Sequence, residues 1–225
     1  MIVSLKNISF AYDAAKILDN VSFSVNKGEY VAFIGPNGGG KSTAIKLILG
    51  FLKPQRGAIY VSTGLETMGY VPQQNLIDKA FPISVLDVVK QGALAQLKWW
   101  GGFSKEIHSK AFELLKMLRC QTLAKRSFGT LSGGQAQKVL IARSLMCDPE
   151  ILLLDEPTAN IDVDSEQSIY SFLNSLKRKK TIIIVSHDFD AIMKNVDRVI
   201  CFQNSVKSMK PSDVCKHFSM GMYHE

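Results

Sequence analysis

The chain has 225 residues, enough to bury a sizeable core, with 27 Lys and Arg against 20 Asp and Glu for a net charge of +7. No apolar run approaches the roughly 18 to 20 residues of a membrane-spanning helix, and Met1-Ile2-Val3-Ser4-Leu5-Lys6 is not the start of a secretion signal, so a cytoplasmic location is expected. Cys120, Cys147, Cys201 and Cys215 lie far apart without CxxC spacing, and His108, His187, His217 and His224 form no ligand pattern with them, which favours reduced, structural thiols over a zinc site or a disulfide framework.

In chain order, the first element that carries chemistry is the apolar run Tyr30-Val31-Ala32-Phe33-Ile34, which reads as a buried strand. It feeds Gly35-Pro36-Asn37-Gly38-Gly39-Gly40-Lys41-Ser42, a match to GxxxxGK[ST], and then a helix predicted over Ser42 to Gly50 with Ile45, Leu47, Ile48 and Leu49 on its apolar face. Glycines suit this loop because the backbone must wrap phosphates with its N–H groups turned inward, in dihedral regions that a Cβ makes costly. The helix N-terminus adds partial positive charge. Lys41 is expected to reach the β- and γ-phosphates, and the Ser42 hydroxyl to take one position on Mg²⁺.

Helical apolar spacing follows over Val85 to Leu97 and over Lys105 to Leu118, the latter through Ala111, Leu114, Leu115 and Leu118. Trp99-Trp100-Gly101-Gly102-Phe103 joins them. Two readings stay open for that loop: local packing, or contact with a partner or membrane surface. Further on, Ile151-Leu152-Leu153-Leu154-Asp155-Glu156 reads as a buried strand with two acids at its carboxyl end, where ligands sit in open α/β sheets. Asp155 is expected to hold Mg²⁺ through water and Glu156 to orient the attacking water. The basic run Lys177-Arg178-Lys179-Lys180 is expected as a solvated helix end, and the charge alone selects no partner. The strand Thr181-Ile182-Ile183-Ile184-Val185 then places His187 beside the other phosphate chemistry, where a γ-phosphate contact is expected.

Together with Leu131-Ser132-Gly133-Gly134-Gln135, these motifs resemble the ATP-binding cassette (ABC) family over nearly the whole chain. The resemblance implies an α/β fold: a RecA-like P-loop NTPase core with a mixed sheet, an N-terminal antiparallel β subdomain and a helical insert. The core would comprise residues 1–75 and 131–225, and the insert 76–130. It also implies that ATP binds with Mg²⁺. Tyr12 would stack on adenine, and Gly35, Asn37, Gly38, Gly39, Gly40, Lys41, Ser42 and Thr43 would hold phosphates; Ser42, Gln73 and Asp155 would hold the metal. Gln73 matches the Q-loop glutamine, Asp162 the D-loop and His187 the switch histidine, so that Glu156, His187, Gln73 and Lys41 form the expected catalytic set. Family geometry sets Ser132, Gly133, Gly134 and Gln135 against the γ-phosphate held by a second copy, so two chains would pair head to tail around two ATP.

A transport motor on the cytoplasmic face of the cell membrane is the function this implies. A chromosome or repair ATPase would need a long coiled coil, for which the separation of about 90 residues between phosphate loop and signature leaves no room, and a translation factor would carry two cassettes. A soluble iron–sulfur assembly ATPase stays open as an alternative. Gly69 to Gln73, Phe81 to Val85 and Glu156 to Asp162 resemble the zinc and manganese importer branch, which implies a transmembrane permease, an extracytoplasmic metal-binding protein and no nucleic acid partner. Two departures stand out: Lys138 where most relatives carry arginine, and a short Gly57 to Met68 segment. Only about 25 residues follow Ile200, too few for an added regulatory domain.

Overall fold

The computed structural model describes residues 1–13, 15–73, 81–99, 101–203 and 206–214. The chain begins with β1 (Val3–Tyr12), β2 (Ala15–Val25) and β3 (Tyr30–Ile34), followed by α1 (Lys41–Ile48), β4 (Arg56–Val61) and β5 (Met68–Val71). Next come three helices, α2 (Val85–Lys90), α3 (Lys105–Met117) and α4 (Gly133–Ser144). The rest alternates: β6 (Ile151–Asp155), α5 (Val163–Leu176), β7 (Thr181–Val185), α6 (Phe189–Asn195), β8 (Arg198–Phe202) and β9 (Val206–Met209).

Every residue of β3, β6 and β7 is buried, which is why the sequence reads there as unbroken apolar runs rather than as alternation. These strands lie in a six-stranded sheet ordered β5-β6-β7-β3-β8-β9, parallel except for the last pair. The pleat sorts their side chains by parity. Tyr30, Ala32, Ile34, Leu152, Leu154, Ile182 and Ile184 join one core cluster with residues of α2, α3, α4 and α5. Val31, Phe33, Leu153, Ile183 and Val185 face the other way, onto α1 and the antiparallel sheet β2-β1-β4. Phe23, Phe33 and Phe202 seal that side, with ring centroids 5.0 to 5.9 Å apart. The expected α/β fold with a mixed sheet and an antiparallel N-terminal sheet is therefore present.

Three local expectations need correction. The predicted helix over Val85 to Leu97 is α only to Lys90 and continues as a 3₁₀ segment, Gln91–Gln96, with Ala93 off helical dihedrals (φ −113°, ψ 28°). Gly92 explains the break: a Cβ there would lie 1.9 Å from the Arg143 carbonyl oxygen, so α4 packs against bare backbone. The basic run after α5 is not simply solvated, since Lys177 pairs with Asp197 at 2.9 Å and Lys180 with Asp148 at 2.7 Å. Local packing fails as an account of Trp99, which is 92% exposed on a turn closed by Lys98 and Gly101, although Phe103 does pack against the core. Trp100, Cys215, His217 and His224 lie outside the described residues; Cys120, Cys147 and Cys201 are free thiols.

Among the described residues no helix is long and apolar enough to cross a membrane. Both α2 and α3 pack against α4, so the helical layer includes residues beyond 130.

Candidate functional site

The loop between β3 and α1 takes its path because of its glycines. Gly35 has φ 139°, and a Cβ on it would sit 2.0 Å from the Phe202 carbonyl oxygen, so the loop passes directly against the end of β8. Gly38 has φ 79° with nothing within 4 Å of its Cβ position, leaving its face open. Gly40, at φ 94°, ends the loop and caps α1 in the left-handed region. The loop thus curves with bare backbone toward one open side.

Lys41 is buried, with Nζ donating to the Gly35 and Pro36 carbonyl oxygens at 2.8 Å each. Burial pushes its pKa down, while Glu156 and Asp155 favour its charged form. Ser42 Oγ donates to Asp155 Oδ1 at 3.0 Å. Asp155 is itself buried, and desolvation holds its carboxyl above the ordinary range, with the Glu156 charge adding to the rise and the Ser42 hydrogen bond opposing it.

Glu156 follows the end of β6 in the left-handed region (φ 49°), its N–H donating to the Val185 carbonyl at 3.0 Å. That turn carries the carboxylate to Gln73 and His187. Gln73 Nε2 donates to Oε2 at 2.7 Å, and His187 Nε2 lies 2.9 Å from Oε1. Strand order makes the meeting possible, because β7, which delivers His187, runs between β6 and β3.

A cavity of about 440 Å³ lies over this arrangement, lined by Tyr12, Ile17, Asn37, Gly38, Gly40, Lys41, Ser42, Thr43, Gln73, Glu156 and His187. Its volume fits a nucleotide-sized ligand, and it unites an exposed aromatic edge with a cationic, N–H-rich floor. The Tyr12 ring is 41% exposed and held edge-on by Phe10, with centroids 4.9 Å apart. Ile17 is the lining residue that sequence reasoning missed; a lone isoleucine carries no motif, and only the hairpin register, with Tyr12 opposite Ala15, brings it to the cavity.

The segment Ser132-Gly133-Gly134-Gln135 and Asp162 are not part of that lining. Ser132 and Gln135 form a reciprocal capping box at the start of α4. A Cβ on Gly134 would lie 2.2 Å from Ser165 Oγ, so glycine lets the start of α4 press against the start of α5. Asp162 caps α5 by accepting from Ser165 N at 2.8 Å, a bond that holds its carboxyl below the usual range. The expected residues thus fall into two groups, one around the cavity and one at two adjoining helix N-termini.

Comparison with known proteins finds the chain similar to ATP-binding cassettes. The family model described as ABC transporter matches residues 18–159. The "High-affinity zinc uptake system ATP-binding protein ZnuC" of Bacillus subtilis is 39% identical over 214 residues, covering 92% of this chain and 93% of that protein. The "Zinc import ATP-binding protein ZnuC" of Vibrio vulnificus is 35% identical over 219 residues, covering 96% and 79%. Among solved structures, an ATP-binding cassette dimer in a post-hydrolysis state bound to ADP and Pi superposes with a TM-score of 0.82 at 29% identity, covering 93% of this chain and 99% of that one.

Proposed function

The chain belongs to the ABC transporter family and is an ATPase, and from that premise we propose that it powers import of a divalent metal ion, zinc or manganese. The names of its relatives support this substrate class. The observation that carries the hydrolytic reading is Glu156, held between Gln73 and His187 above the Lys41 loop.

In this reading Tyr12 and Ile17 flank the adenine, and the backbone from Gly35 to Gly40, with Lys41 and Thr43, takes the phosphates. The Asp155 carboxylate, Ser42 hydroxyl and Gln73 amide oxygen form an all-oxygen donor set that suits a hard cation, and the first two are already hydrogen-bonded to each other. Bound there, Mg²⁺ supplies charge neutralisation on the phosphate oxygens. Glu156 accepts the proton of the attacking water. His187 orients Glu156 and contacts the γ-phosphate, and Gln73 relays permease docking to the Mg²⁺ site.

Ser132 to Gln135 and Asp162 serve the site of a second copy, giving a head-to-tail homodimer with two shared ATP sites. The dimer sits on a transmembrane permease at the cytoplasmic face of the membrane, and an extracytoplasmic metal-binding protein feeds the same permease. The test is elemental analysis of cells that lack this chain, complemented by the parental protein or by Glu156→Gln. Loss of zinc or manganese uptake that only the parental protein restores supports the proposal and names the ion. An unchanged elemental profile overturns metal import in favour of another cargo or iron–sulfur assembly.

A further inference from the structure

Tyr170 lies in the middle of α5, 4% exposed, where apolar helical spacing explains Ile169, Leu173 and Leu176 but gives no reason for a hydroxyl. A buried phenol needs a partner, and this one has Ser186. Its Oη is 3.1 Å from Ser186 Oγ, and Thr158 lines one small cavity together with Ser186, Glu156 and His187. Ser186 directly precedes His187; Thr158 is two residues past Glu156. One hydroxyl therefore ties α5 to the turn that carries His187, beside the turn that carries Glu156.

Ser186 Oγ also accepts the Asp188 backbone N–H at 3.1 Å, so one serine hydroxyl joins Tyr170 to the turn that carries His187. Burial pushes the Tyr170 phenol above its ordinary value, so it stays a neutral donor. Tyr30, in the same core cluster, offers a contrast, because its hydroxyl is buried without a hydrogen-bond partner.

We propose that Tyr170 is a positioning residue for ATP hydrolysis, whose hydroxyl, through Ser186, fixes the Ser186–His187 turn so that His187 Nε2 stays within hydrogen-bond reach of Glu156 Oε1. The proposal rests on Glu156 and His187 as the hydrolytic pair. The same helix, α5, starts at Asp162 and meets Gly134 at Ser165.

The experiment compares Tyr170→Phe, Ser186→Ala, Ser186→Thr, the double variant Tyr170→Phe/Ser186→Ala and Tyr30→Phe by ATPase kinetics, ATP affinity and thermal unfolding. Loss of one hydroxyl contact is expected to lower kcat roughly threefold to tenfold in Tyr170→Phe and Ser186→Ala, with KM and ATP affinity within about twofold of the parental values. Since both single variants break one chain, the double variant is expected to be no slower than the slower single. Ser186→Thr, which keeps the hydroxyl, is expected to recover most of what alanine loses, and Tyr30→Phe to match the parental kcat. A parental kcat in Tyr170→Phe, a fall in ATP affinity matching the fall in kcat, or multiplicative losses in the double variant would overturn the proposal. Glu156→Gln in the same assay separates the two claims: if it turns over normally, the hydrolytic reading itself is wrong, whatever Tyr170 does.

Discussion

Glu156 and His187 meet at 2.9 Å between Oε1 and Nε2 from the ends of adjacent parallel strands, while Gln73 holds the other carboxylate oxygen at 2.7 Å. A general base must be held, aimed and ionised, and this arrangement supplies the first two through side chains from two other segments. Glu156→Gln preserves the shape of that contact and removes the base. ATP binding is expected to persist, turnover to fall at least 100-fold, and an ATP-bound dimer to accumulate. Steady-state ATPase assays and light scattering with ATP check this, and turnover at the parental rate would remove Glu156 from its role. Lys41→Ala should instead weaken nucleotide binding itself.

Gly35 and Gly101 separate backbone strain from steric collision. Both have positive φ, 139° and 84°, but a Cβ on Gly35 meets the Phe202 carbonyl at 2.0 Å while one on Gly101 meets nothing within 4 Å. Gly101→Ala is expected to cost about 1 kcal/mol of stability and leave ATP affinity intact. Gly35→Ala should force the loop away from β8 and weaken ATP binding at least tenfold, on the order of 1.4 kcal/mol or more. Calorimetric titration with nucleotide distinguishes the two.

The displaced carboxyl of Asp155 has a consequence for stability. Its native pKa stands above the ordinary 3.8, chiefly through burial, so the native state holds this proton more tightly than the unfolded chain. The stabilisation from the protonated form is complete below 3.8 and is lost as pH rises through the native value. At neutral pH the ionised group therefore lowers stability, by about 1.4 kcal/mol for each unit of displacement. Asp155→Asn is expected to unfold at higher urea than the parental protein at pH 7, with the gap closing toward pH 4, while losing Mg²⁺-dependent hydrolysis. A lower urea midpoint at pH 7 would contradict this account.

Ser132 has a local role that can be measured apart from its proposed role across the dimer. Its hydroxyl accepts from Gln135 N in the capping box of α4. Ser132→Ala should lose about 1 kcal/mol of stability. Ser132→Arg, placing a long cation at the same helix start, is expected to leave ATP binding by the monomer nearly intact and to block ATP-dependent dimerisation in the Glu156→Gln background. Normal dimerisation of that variant, measured by size-exclusion chromatography with light scattering, would refute the shared-site reading.

How far the sequence goes depends on the kind of element. Tyr30–Ile34 and Thr181–Val185 have the bounds that their apolar runs announce, because a parallel strand buried on both faces leaves no polar position to blur its ends. The phosphate loop was legible for a different reason: its chemistry forces glycine, lysine and serine into fixed spacing. Gly92 was not legible as a break, since only the approach of Arg143 from α4 explains it. Nor were Ile17 and Tyr170, whose importance comes from register and from a hydroxyl in an otherwise apolar helical pattern. The hold of Gln73 and His187 on Glu156 depends on strand order, which no single segment encodes.

Strand order also sets when the site can exist. The strands that carry Lys41 and Glu156 do not touch; β7 lies between them, and it comes last of the three in the chain. Until Thr181–Val185 has been made and inserted, β3 and β6 have no shared neighbour, and Ser42 cannot meet Asp155 across 113 residues of sequence. Contacts so distant along the chain form late and slowly. A growing polypeptide could thus neither seat its phosphate loop against Phe202 nor split ATP until these late strands are in place, and nucleotide capture would mark a chain whose central strand is already inserted.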